Sequence, residues 1–208
     1  MEKISKRTTT LLVILVCVTS VYATKTLIQQ FRKGGSTATN ARMKGKKDAP
    51  IKIVEFIDFQ CPACAFGAAY LKEMFEKYPE AIRVEVKHYP LKMHRHGLLS
   101  SRYAECAARQ GKFWPFQDML LARRSNWQRL ADADPVFAQI ADDSGLDEQK
   151  LKACLKDPTI DEAIKKDKEE GGALGVKSTP TYFVNEKMVV GKKSLDAAIM
   201  RLLEKNGY

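Results

Sequence analysis

Residues 55–67 read EFIDFQCPACAFG. Two cysteines, Cys61 and Cys64, stand two residues apart, directly after an apolar run and directly before small residues that suit a helix. The run itself, residues 51–59 (IKIVEFIDF), is β-branched and aromatic and predicts a strand. Its apolar residues fall on both faces, Ile51, Ile53, Ile57 and Phe59 on one and Val54 and Phe56 on the other. A strand buried on both sides belongs inside a sheet that helices cover. From Pro62 to Tyr78 the spacing turns helical, with Phe66, Tyr70, Met74 and Tyr78 four residues apart. Pro62 fits the first turn, where a missing N–H is no loss, and Pro79 stops the helix. The cysteine pair is therefore expected where a buried strand gives way to a helix.

Outward from that junction, residues 81–89 (AIRVEVKHY) alternate apolar and polar and predict a second strand. A helical stretch follows over roughly 95–172, broken at Gly111, Pro135, Gly145 and Pro158 into several short helices. Residues 181–184 (TYFV) and 187–190 (KMVV) flank Asn185-Glu186 as a hairpin, and a last helix covers about 194–205. The order is strand, helix, strand, helical block, two strands, helix. It implies an α/β sheet with an inserted α-helical domain.

At 208 residues the chain has room for one domain with a substantial core and an extension. The formal charge of +10 is concentrated at one end: residues 1–47 hold ten Lys/Arg and one acid, leaving 25 basic and 24 acidic residues beyond. A nearly neutral domain excludes a nucleic-acid binder, whose basic patch would lie on the fold. The N-terminus, MEKISKR followed by TTTLLVILVCVTSVYA, predicts a signal peptide or short membrane anchor over 1–23. Residues 24–49, rich in Gly, Ser, Thr and Lys towards their end, read as a basic flexible linker to a domain at 50–208.

The pair has three chemical readings. Zinc wants four ligands, and no second C-x-x-C accompanies this one, while His88, His94 and His96 are irregularly placed. Copper(I) would accept two thiolates and a nearby methionine. The redox reading has a specific basis. A cysteine at the cap of a helix faces unpaired N–H groups and the positive end of the dipole, which stabilise its thiolate. Cys61 is then the attacking sulfur. Cys64, inside the first turn, is the more buried and less acidic sulfur that resolves a mixed disulfide. Glu55 shares a strand face with Ile53 and Ile57, so a buried carboxyl is expected beside the pair, placed to take the Cys64 proton through water. The alternative for Glu55 is a solvated position or a pairing with a lysine such as Lys87. Thr179-Pro180, just before the third strand, suits a strand start, and a cis bond there would turn the Thr179 backbone towards the cysteines to bind an extended substrate.

The stretches VEFIDFQCPAC, SRYAECAARQGKFWPFQDMLL and GVKSTPTYFVN together resemble the DsbA-like thiol–disulfide oxidoreductases of the thioredoxin superfamily, over nearly all of residues 50–205. The resemblance implies a thioredoxin fold with a helical insertion, an active disulfide at Cys61–Cys64, a cis peptide at Thr179-Pro180, and Glu55 in the place of the family's buried acid. Strongly oxidising members carry a histidine where this chain has Ala63, which implies a milder oxidant. Some members also carry a second disulfide, and Cys106 and Cys154 are the residues available for it. The expected activity is an extracytoplasmic, periplasmic dithiol oxidase that acts on reduced cysteine-containing exported proteins. A membrane redox partner reoxidises it, and it works as a monomer without metal or cofactor. An isomerase or reductase kept as the dithiol, and a non-enzymatic metal-binding or chaperone module, stay open. Phe113, Trp114 and Phe116 read as packing, His94-Arg95-His96 as a solvated loop, and the charge run 165–170 as a wet helix face.

Overall fold

The computed structural model of the protein describes residues 40–208. The expected signal or anchor at 1–23 and the first part of the expected linker lie outside those residues. Strand β2 (Ile51–Ile57) is central. It is followed by α1 (Pro62–Lys77) and by β3 (Ile82–His88), which returns parallel to β2 in the register Ile51↔Ile82 to Ile57↔His88. On its other side β2 pairs antiparallel with β4 (Thr181–Val184), which turns back as β5 (Lys187–Val190). Asn185 and Glu186 take φ of 45° and 71° in that turn, the left-handed geometry a tight hairpin requires. Helix α8 (Gly191–Lys205) closes the chain. Among the described residues the mixed sheet runs β1-β3-β2-β4-β5, where β1 is Met43–Lys44.

Strand β1 (Met43–Lys44) corrects the expected linker. It pairs antiparallel with β3, Met43 opposite Glu85 and Lys44 opposite Val84. The residue before it, Arg42, is buried among charges: it donates to the Val86 carbonyl at 3.1 Å and pairs with Asp167 and with Glu105. Composition concealed this because two strand residues and one arginine leave no periodic signal, and the arginine's partners lie far along the chain. The folded unit thus begins ahead of residue 50.

The two faces of β2 pack as its alternation predicts. Ile51, Ile53 and Ile57 enter the main core with α1, α8 and the insertion, while Phe56 joins Tyr89 and Val176 in a smaller cluster on the opposite face. Six helices fill the interval between β3 and β4: α2 (Gly97–Arg109), α3 (Phe113–Ala122), α4 (Arg124–Trp127), α5 (Asp134–Asp143), α6 (Glu148–Leu155) and α7 (Thr159–Ala173). Trp127 is fully buried in the insertion, edge-on to Phe137, and donates its indole N–H to the Leu120 carbonyl at 3.0 Å. A disulfide joins Cys106 on α2 to Cys154 on α6, with 5.8 Å between Cα atoms.

Two expectations about polar surface are overturned. His94 is only part-exposed, its Nδ1 meeting Asp58 at 2.8 Å, and His96 is buried with Nε2 on the Leu130 carbonyl at 2.9 Å, while Arg95 between them is exposed. The run 165–170 is not wholly wet either, because Asp167 is buried between Arg42 and the backbone N–H of His88. In both places a polar side chain finds its partner on an element distant in sequence.

Candidate active site

Cys61 is the cap residue of α1, with extended backbone angles (φ −68°, ψ 123°) and Pro62 opening the helix behind it. Its N–H bonds the Asp58 carbonyl at 3.0 Å, which fixes the entry of the chain into the helix. Asp58 is itself fully buried and accepts from the N–H groups of Gln60 (2.8 Å) and Leu91 (2.7 Å) as well as from the His94 ring. Gln60 continues the scaffold: its side chain accepts from the His96 N–H at 2.7 Å and donates to the Gln128 carbonyl at 3.0 Å. The loop that carries Cys61 is thereby tied to the helical insertion. Asp58 and Gln60 were not singled out by the sequence, where a polar pair before a cysteine carries no signal of its own.

Both thiols are free. Cys61 keeps 7% of its surface and Cys64 none. The thiol hydrogen of Cys64, directed at Cys61, does most to favour the Cys61 thiolate. Partial burial opposes it, while the backbone N–H groups of Ala63 and Cys64 and the Thr179 side chain assist. The Cys61 pKa falls from its usual value to about 5. Cys64 moves the other way, raised first by burial and then by its neighbour's sulfur. The pair is therefore split into one sulfur that is an anion at neutral pH and one that holds its proton.

The Thr179-Pro180 bond is cis, and the Cys61 sulfur lies 3.4 Å from the Thr179 carbonyl, which can accept from it only while the thiol is protonated. The sequence motifs 118 residues apart meet at this sulfur. Glu55 lies on the core face of β2, 1% exposed, and burial raises its pKa to about 8, against smaller opposing effects of Tyr182 and Lys44. Lys87, the alternative partner for Glu55, instead pairs with Glu85 and Glu170 at 3.0 Å each. The lysine that acts on Glu55 is Lys44 of β1, whose ammonium lies 4.2 Å above the Trp114 ring. A groove of about 840 Å³ bounded by Val54, Leu174, Phe183 and Asn185 includes neither cysteine nor Pro180 in its lining.

The sequence pattern that defines the thioredoxin family matches residues 37–205. Among curated proteins, 149 residues of the chain are 31% identical to part of the Na(+)/H(+) antiporter NhaA of Herminiimonas arsenicoxydans, taking in 72% of this chain and 23% of that protein. A second relative, Na(+)/H(+) antiporter NhaA 3 of Salinispora tropica, is 32% identical over 162 residues, 76% of this chain and 24% of its own length. The chain thus spans about a quarter of these relatives. Among solved structures, the thiol-disulfide exchange protein α-DsbA2 of Wolbachia pipientis superposes with a TM-score of 0.68 at 20% identity, over 88% of this chain and 96% of that one. BdbD of Bacillus subtilis gives 0.67 at 20% identity, over 78% and 92%. A thioredoxin-like oxidoreductase of Silicibacter pomeroyi gives 0.64 at 23% identity, over 78% and 91%. The chain belongs to the thioredoxin family and has the fold of its DsbA-like thiol–disulfide oxidoreductases.

Proposed function

We propose that the protein is an extracytoplasmic thiol–disulfide oxidoreductase that works as a dithiol oxidase through Cys61 and Cys64. The observation that carries this reading is the split pair: an acidic Cys61 at the head of α1 and a buried, proton-holding Cys64 one turn deeper. In the oxidised enzyme a substrate thiolate attacks the Cys61 sulfur. The Cys61–Cys64 bond breaks and Cys64 leaves, taking up a proton. A second thiolate of the substrate then attacks the substrate sulfur of the mixed disulfide, and Cys61 departs as a thiolate. The substrate gains a disulfide, and its two electrons end on the Cys61–Cys64 dithiol. A membrane partner regenerates the disulfide by the reverse exchange, so no cofactor enters.

The acidity of the leaving sulfur supports the oxidising direction. A Cys61 pKa near 5 leaves the thiolate favoured by roughly two decades at pH 7. That makes the pair more oxidising by about 60 mV than one built on an ordinary thiol. Glu55 supports both half-reactions. With a pKa near 8 it gives a proton to Cys64 as that sulfur leaves, and removes it when the disulfide is rebuilt. The cis peptide presents Thr179 backbone groups beside the sulfur, where an extended substrate segment can pair with them. The Cys106–Cys154 bond supports an oxidising compartment. The matching segments in membrane antiporters support a working place at a membrane face.

The test uses oxidative refolding of a reduced, secreted model substrate. Cys61→Ser is expected to abolish disulfide formation, and Cys64→Ser to accumulate substrate covalently bound through Cys61. Normal refolding with Cys61→Ser sinks the proposal.

A further inference from the structure

Tyr182 is a buried polar residue that the mechanism above leaves unused. Strand β4 buries it completely and sets it directly opposite Glu55 on β2. Directly opposed residues of an antiparallel pair point to the same face and touch. The ring reaches across to α1, where its hydroxyl lies against Gly67: a Cβ at that glycine would stand 1.9 Å from the Tyr182 oxygen and 3.7 Å from Pro180 Cγ. Gly67 is one turn beyond Cys64. Helix α1 therefore leaves a slot at Gly67 that admits this hydroxyl, with the cis proline beside it. A phenylalanine would occupy the same space with no polar atom to satisfy. The Tyr182 hydroxyl and Glu55 Oε1 are both buried with no hydrogen-bond partner among the described residues. Two such buried atoms on facing residues mark a place where a proton or a water is handled.

We propose that Tyr182 is the positioning residue for Glu55: its hydroxyl donates to the ionised carboxylate and aims it to receive the Cys64 proton, while Tyr182 keeps its own proton throughout. This deepens the reading of the cysteine pair and rests on it for the step served. The groups facing Glu55 are few. Tyr182 comes from β4, Lys44 from β1 and Cys64 from α1, and β3 offers the uncharged Val86 opposite it. After burial, the Tyr182 hydroxyl is the largest influence on the carboxyl, and it favours the ionised form. Burial first, and then the Glu55 charge, hold the phenol's own pKa far above its usual value, so Tyr182 donates without ionising.

The experiment compares wild type with Tyr182→Phe in the full chain. The Glu55 midpoint is followed by difference infrared titration, with Glu55→Gln assigning the carboxyl band. The rate at which Cys64 resolves a glutathione mixed disulfide on Cys61 is followed against pH. The expected result is a Glu55 midpoint raised by about one pH unit in Tyr182→Phe. Resolution at pH 7 slows about 3- to 10-fold, converges with wild type at high pH, and shows no further slowing when Tyr182→Phe is added to Glu55→Gln. Incorporation of 3-fluorotyrosine at 182, a stronger donor of nearly the same size, is expected to shift the midpoint downward. An unchanged midpoint in both variants overturns the inference and leaves the oxidase reading intact. Oxidation retained by Cys61→Ser overturns that reading, while the infrared titration still decides the role of Tyr182.

Discussion

Glu55 illustrates how a single side chain links fold to chemistry. Burial lifts its pKa from 4.5 to about 8, so between those values the folded protein holds a proton that the unfolded chain has released. Stability consequently falls as pH rises through that window and levels off above it. Glu55→Gln, which cannot ionise, is expected to flatten this dependence and to raise stability at pH 8 by on the order of 4 kcal/mol, measured by urea unfolding at pH 5 and pH 8. Equal slopes in the two proteins contradict the assignment. The residue was legible because strand alternation is local: Ile53 and Ile57 fix the face on which it lies. The Cys61 environment was legible for the same reason, since a cap position is defined by the next three residues. Tyr182 was not, because a tyrosine among TYFV reads equally as plain core. His94 and Asp58 were missed because their contact spans 36 residues and leaves no pattern in the chain.

Between elements, the approach of α1 to β4 decides the shape of the site. Glycine inside a helix is ordinarily about 0.5–1 kcal/mol worse than alanine. At Gly67 that preference is reversed by the Tyr182 oxygen 1.9 Å from where the methyl would go. Gly67→Ala is expected to lower stability by about 1–3 kcal/mol in thermal or urea unfolding. Combined with Tyr182→Phe most of that loss is expected to return, because the nearest remaining ring atom stands at 3.2 Å. A Gly67→Ala variant as stable as wild type would mean that the slot is not filled as described. The strands and α1 were readable from periodicity, whereas β1 was not: two residues cannot show alternation, and their glycine- and lysine-rich surroundings imitate a linker. What anchors this segment is Arg42, whose acidic partners sit 63 and 125 positions later.

Over the whole molecule, the order of strands and helices was enough to give the sheet with its inserted helices, because each long element carries its own pattern. The cross-links between them were open in the sequence. Cys106 and Cys154 close a loop of 48 residues within the insertion. Replacing both by alanine is expected to lower stability by about 2–4 kcal/mol, read as the difference in unfolding free energy under oxidising conditions. The same replacement should leave the acidity of Cys61 unchanged, since none of the groups that set it belongs to that bridge. The account as a whole depends on that acidity. Its most direct test is the absorbance of the thiolate near 240 nm in the reduced protein, titrated against a Cys61→Ser baseline. The predicted midpoint is near pH 5. A Cys61 midpoint above about pH 8, where an unperturbed thiol titrates, contradicts the account.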